Sequence, residues 1–500
     1  MADAAEKDRG PGTDSAIAVN IAAAAMGVAA VATACLVGSQ RGTWNWLCVA
    51  GGLLIIAILA APRREAARVG VHPGWVMAIV AALWATMPHG FVSDDFVLLA
   101  HARRSTLATL AGTFVTAGGD GFYRPVGYVW LGLNSWWAGD SRWLWGFLGA
   151  AVHVGNTFLV YLMARRWPGL EQWQAAGAAL LFGVHGSLVE SAGWLAGSFD
   201  VVSTSFVLAA LLFLDGAFWL ALLCMGLAQL TKEAAYAFPL LAAVWMAARD
   251  KWRPATLTGV VLATGAVFAW RTWLLGGIGG YAPEGVSQLW DFGWLGYVKV
   301  LAWRLWGGLF FPLKAGAGPK VLLVLLAAGL VAMALQARRH ASVWWAFALL
   351  FTAVVVPAHL MLFGPDLLKS RLLYLPLVGF SIALAAAARR PAGLALYVIA
   401  QIVVLRANGL LWQNVARTAE AACAAAVRCE AGTTMPRMPA TLDGVYFFAN
   451  GFSECVARAA GKPFTPAAKW DEGSRKIECF SPGASPGPPG SSGSPPAAKD

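Results

Sequence analysis

Residues 74–96 read GWVMAIVAALWATMPHGFVSDDF. The first part is an apolar run that, as an α-helix, reaches most of the way across the ~30 Å hydrocarbon core of a bilayer. The second part sets Asp94 and Asp95 side by side where the run ends. Adjacent carboxylates repel, so at least one pKa should rise unless a cation neutralises them, which suits base catalysis or metal binding. A solvated loop is the plain alternative for such a pair.

Outward from this stretch the apolar runs recur. The chain is 58% hydrophobic and 13% charged, where a soluble domain carries roughly 25% charge. That composition predicts an all-α polytopic membrane protein. The formal charge of +11 is dispersed in short clusters between apolar runs, a placement that reads as topology and gives no basic patch for nucleic acid. Runs at 15–37 and 44–61 precede Arg63, Arg64 and Arg68, which mark a cytoplasmic turn, keep residues 1–14 cytoplasmic and send the 74–90 helix outward. Later runs at 143–164, 173–189, 199–214, 217–230, 234–248, 255–275, 321–336, 341–363, 372–388 and 392–410 alternate so that Arg165-Arg166, Arg249 with Lys251 and Arg253, Arg338-Arg339 and Arg389-Arg390 all fall inside. The expectation is about 13 spans in a bacterial inner (plasma) membrane, with the C-terminus periplasmic or extracellular. Residues 294–313 carry Lys299 and Arg304 among Trp and Leu, and are expected to lie in the external interface as an amphipathic helix.

The domain plan is a cytoplasmic tail (1–14), two leading helices (15–73), a main membrane domain (74–412), a small external domain (413–480) and a Pro/Gly/Ser-rich disordered tail (481–500). Cys423, Cys429, Cys455 and Cys479 are an even set in that external domain and are compatible with disulfides, in any of three connectivities.

Polar residues gather at the expected outer ends of the spans. Arg124 lies in a Tyr-Arg-Pro turn and can grip phosphate or carboxylate bidentately. His153 and Asn156 share one face of a span, where an interhelical hydrogen bond competes with ligand contact. His185 and Glu190 follow the 173–189 run, and Asp200 opens the next; a carboxylate there would meet Asp94 and Asp95 across an external cavity. Lys232-Glu233 closes another span, and Arg371 with Tyr374 opens a later one. A mixed-charge site at the external surface, with Lys232, Arg124 and Arg371 for an anionic headgroup, suits a lipid-linked phosphate. The chain contains no GxxxxGK[ST] loop.

SDDF, then FYRPV, HVGN, VHGSLVESAGWLAGSFDVVS, LTKEAAYAFP, SRLLYLPLVGF and RANGLLWQN stand in an order that resembles the membrane half of the transmembrane and tetratricopeptide-repeat O-mannosyltransferases and their bacterial relatives, which are C-type glycosyltransferases. Gly186 stands where that family usually has proline. The resemblance implies a GT-C-like fold and inverting transfer of a sugar from a polyprenyl phosphate to the hydroxyl of a protein, lipid or glycan acceptor. It implies a base from Asp94 or Asp95 and a second acid at Glu190. Substrate contacts would come from Arg124, His153, Asn156, His185, Lys232, Glu233, Arg371 and Tyr374. The sequence establishes no cofactor; should a divalent metal be used, Asp94, Asp95 and Glu190 are its candidate ligands. The rival reading is a lipid or sugar transporter (flippase), whose site would lie nearer the midplane at broken helices of paired repeats.

Overall fold

A computed structural model describes residues 73–87, 90–117, 121–280, 305–310, 312, 340–357 and 368–480. The expected helices at 15–37, 44–61 and 321–336, most of 294–313 and the tail from 481 lie outside the described residues.

The described chain is mainly helical: α1 Pro73–Ala85, α2 Asp94–Arg103, α3 Leu107–Gly112, α4 Pro125–Ala138, α5 Arg142–Arg165, α6 Gln172–Val184, α7 Val189–Ala192, α8 Ser198–Phe213, α9 Phe218–Gln229, α10 Phe238–Ala248, α11 Pro254–Leu275, α12 Leu305–Phe310, α13 Ala341–Val354, α14 Pro376–Ala387, α15 Pro391–Ala426 and α16 Phe452–Ala460. Helices α5, α11 and α15 are long and apolar enough to cross a membrane, and α6 joined to the bent segment Gly186–Ala192 would make a fourth; α1, α8, α9, α13 and α14 are apolar but shorter. Proline opens α4, α11, α14 and α15, where its missing N–H leaves no hydrogen bond unmade. In α11 only Val260 and Arg271 are buried, so its apolar surface faces outward.

The turns between helices sort by end. Asp215, between α8 and α9, receives Arg249 Nη1 at 2.7 Å, Arg166 Nη1 at 3.6 Å and Lys251 Nζ at 3.8 Å, and the Trp167 indole donates to Ser342 O at the start of α13. Two of the basic turns, those of Arg166 and of Arg249 with Lys251, therefore meet at one end of the bundle. Asp94, Glu190, Lys232 and Arg371 belong to the turns of the opposite end.

Three boundaries differ from the sequence-based expectation. The stretch after residue 90 is not an open loop but holds the short helices α2, α3 and α4. The 173–189 helix breaks at His185, whose backbone is extended and whose ring accepts from the Ser187 N–H. The division at residue 412 is absent, because α15 continues to Ala426 and carries Cys423 within it. Beyond it, two small antiparallel sheets, β1 (Thr441–Leu442) with β2 (Val445–Tyr446) and β3 (Ala468–Asp471) with β4 (Lys476–Cys479), flank α16. Disulfides Cys423–Cys455 and Cys429–Cys479 tie this C-terminal domain to the end of α15.

Gly186 has a local reason. A Cβ there would lie 2.3 Å from Val404 Cγ1 and 2.8 Å from Pro312 Cγ, and its N–H donates to Gln401 Oε1 at 3.0 Å. Proline would supply neither the space nor the donor.

Candidate active site

The two aspartates of the SDDF turn do different things. Asp95 is fully buried; its Oδ2 accepts from the Val92 N–H at 3.1 Å and its Oδ1 from the Ala196 N–H at 3.0 Å. It thus pins the turn before α2 to the segment Trp194–Ser198. Burial pushes its pKa well above the usual carboxylate range, the two N–H donors offset this in part, and the charge of Asp94 adds the smallest contribution. Mutual repulsion is therefore the minor cause and desolvation the major one. Asp94 is half-buried; its Oδ1 accepts from Asn450 Nδ2 at 2.9 Å and from Ser93 Oγ at 3.5 Å. Its Oδ2 has no hydrogen-bond partner among the described residues.

Asn450 belongs to the C-terminal domain, which covers this turn as a cap. Ser93 donates its N–H to Phe447 O at 2.9 Å, and Asn450 N donates to Ser93 Oγ at 3.3 Å. Phe96 stacks on Phe448, and Tyr446 on Trp194 with ring centroids 5.1 Å apart. Gly451 sits at φ +83°, and a Cβ there would come within 2.4 Å of Ser93 O. Only glycine combines that backbone with that approach.

Glu190, on α7, is 2% exposed and faces the segment before α14. Its carboxylate receives Arg371 Nη1 at 2.5 Å, Ser370 Oγ at 3.0 Å and the Lys369 N–H at 3.0 Å. The Arg371 guanidinium also lies over the rings of Trp194, at 4.8 Å, and Tyr446, at 5.5 Å. Trp194 in turn donates its indole N–H to Val92 O. One aromatic side chain thus separates the Glu190–Arg371 pair from the turn that Asp95 holds.

Beside this pair, Lys232 Nζ meets Asp200 Oδ2 at 3.1 Å, and both side chains line a pocket with Arg371, Tyr374 and Ser203. Burial lowers the Lys232 pKa; Asp200 opposes the shift, while Arg124 and Arg371 add to it. Further along, Arg124 grips Glu233 bidentately, with Nε–Oε1 at 3.0 Å and Nη2–Oε2 at 2.7 Å, and Arg271 Nη2 approaches Glu233 Oε1 at 3.9 Å. Cations from four separate segments, Arg124, Lys232, Arg271 and Arg371, therefore share this end of the bundle.

Several expectations change in detail. Glu190 and Asp200 engage Arg371 and Lys232, not the aspartate pair. The candidate metal set of Asp94, Asp95 and Glu190 is not assembled: among the described residues no three His, Cys, Asp or Glu side chains converge to hold an ion, because Asp95 and Glu190 spend their oxygens on N–H, O–H and guanidinium donors. His153, Asn156 and Tyr374, expected to touch substrate, are buried and bonded to one another: Tyr374 Oη meets His153 Nδ1 at 2.6 Å and Asn156 Nδ2 at 3.0 Å, while His153 Nε2 meets Gly183 O and Asn156 reaches Val201 O. This is an interhelical joint between α5, α6, α8 and the start of α14. His185 is likewise buried, between Ser187 and Leu309 O. Arg271, Ser370, Tyr446 and Asn450 were not legible as site residues in the sequence.

No family model, no curated protein and no solved structure matches the chain.

Proposed function

We propose that the chain is a membrane glycosyltransferase of about 13 helices, GT-C-like, in a bacterial plasma membrane, with the capped end on the external side. It transfers a sugar from a polyprenyl phosphate to an acceptor hydroxyl, with inversion. The observation that carries the reading is that Lys232 and Arg371 line one small pocket of about 10 Å³, with Trp194 between Arg371 and the acidic turn. An ammonium group has three donors, and among the described residues Asp200 alone forms an ion pair with Lys232, which leaves donors for a phosphate oxygen. The leaving lipid phosphate needs charge stabilisation, not a proton, and fixed cations supply it without reorganisation.

Of the two aspartates, Asp94 is the base in this reading, because its Oδ2 has no hydrogen-bond partner among the described residues and its residue is half-buried. Asp95 is a positioning residue, since both of its oxygens are bound by main-chain N–H groups that hold the turn. Glu190 orients Arg371. A single base suffices, unlike the paired carboxylates of a glycosidase.

The test uses purified full-length protein, a radiolabelled polyprenyl-phosphate sugar series and native membrane extract as acceptor. Asp94→Asn is expected to lower transfer by about a hundredfold to ten-thousandfold with the thermal midpoint unchanged, the loss of a general base. Undiminished transfer in that variant would remove Asp94 from the mechanism.

A further inference from the structure

At the capped end a second group of charges stands apart from the pocket just described. Arg103 at the end of α2 pairs with Asp140, and Arg458 of α16 approaches the same carboxylate at 3.6 Å. Arg142 at the start of α5 meets Glu420 of α15 at 3.2 Å. Arg417, one turn before Glu420 on α15, is exposed and forms no ion pair among the described residues. Four guanidinium groups from four segments thus face two carboxylates, and the excess is felt: burial and the charge of Arg458 hold the Arg103 pKa down, and burial with the charge of Arg142 does so for Arg458 against the pull of Glu420.

These charges border a cavity of about 170 Å³ between α5 and α15, lined by Arg142, Gln413, Arg417 and Glu420 with Trp143 at its edge. That space exceeds the one or two waters a packing void holds and admits a phosphate group. Gln413, Arg417 and Glu420 share one face of α15 by their spacing, so the helix presents a polar stripe to the groove that Arg142 of α5 also lines. Trp143 is 65% exposed, in keeping with a headgroup-level position for the groove.

We infer that this groove binds the phosphate of an anionic amphiphile lying in the bilayer, with Arg142 and Arg417 as its principal ligands. Guanidinium forks match phosphate oxygens bidentately, and an acyl chain would run down the apolar flank of α5. The inference rests on the membrane placement proposed above but not on the transfer chemistry.

The probe is short-chain phosphatidylglycerol against phosphatidylcholine of the same chains, added to full-length protein in neutral detergent, with bound lipid counted by native mass spectrometry. Wild type is expected to prefer phosphatidylglycerol by about tenfold or more, a preference that Arg142→Gln/Arg417→Gln abolishes. Arg417→Gln alone leaves every ion pair intact, so it keeps the fold and still weakens binding severalfold. Displacement by millimolar inorganic phosphate would identify the phosphate group itself as the recognised feature, and resistance would identify the anchored amphiphile; both uphold the site. Equal binding of the two lipids by wild type, or an unchanged preference in the double variant, overturns it. Since no turnover is measured, failure here leaves the transferase reading standing.

Discussion

Burial raises the Asp95 pKa by more than its two main-chain hydrogen bonds lower it, so the residue holds a proton more readily in the folded chain than in the unfolded one. With the folded pKa raised above the unfolded value, the native state binds more protons across that window, and stability falls as pH rises through it. Asp95→Asn removes this term and turns an amide N–H toward a main-chain N–H. The advantage of wild type over the variant, read as apparent thermal midpoint in detergent, is therefore expected to be greatest below the ordinary carboxylate range and to shrink as pH rises. An advantage that grows with pH would reverse the account. The Glu190–Arg371 pair invites a second test. Removing one partner of a buried ion pair costs about 3–5 kcal/mol because the other charge is stranded, so Glu190→Gln and Arg371→Gln should each destabilise strongly while the double variant costs less than their sum. Additive losses would show that the pair is not coupled.

Among the elements, the C-terminal cap departs most from the plan drawn from sequence. Nothing in Asn450 or Tyr446 marks them as partners of Ser93, Asp94 and Trp194, because the Asn450 hydrogen bonds and the Tyr446–Trp194 stacking join positions far apart in the chain and leave no periodic trace. The even cysteine count was legible, but the pairing was not: it follows from α15 running on to Ala426 and bringing Cys423 beneath α16. The role of Arg271 is hidden for a related reason. A lone arginine near the end of an apolar run reads as an interfacial anchor, and only packing shows that it is one of two buried residues on α11. The cap carries its own prediction. The disulfides close separations of 32 and 50 residues, for which loop entropy suggests about 4 kcal/mol each. Reduction, or Cys423→Ser/Cys455→Ser, should lower the thermal midpoint and free Asp94 from Asn450. Gly451→Ala, strained by its φ and by Ser93 O, should reproduce the effect on Asp94 with the disulfides intact. Protease resistance of the 446–452 segment after reduction would argue against a cap held in this way.

Across the whole molecule, the alternation of apolar runs with basic clusters was the readable part, since it depends only on composition and order. Arg166, Arg249 and Lys251 do converge on Asp215 at one end, with the acidic turn and Lys232 at the other. Helix breaks were less readable: His185 interrupts α6 through a ring-to-backbone bond that apolar periodicity cannot register. A topology experiment follows. In intact cells a membrane-impermeant maleimide should label Glu472→Cys in the cap, and should label Lys251→Cys only after permeabilisation; labelling of both in intact cells would break the proposed orientation. The most direct measurement is an experimental density map of the full chain with polyprenyl phosphate bound. The phosphate is expected between Lys232 and Arg371, on the same side of the bundle as Asp94. A phosphate seated at the Asp215 end, or at the bundle midplane away from both cations, would contradict it.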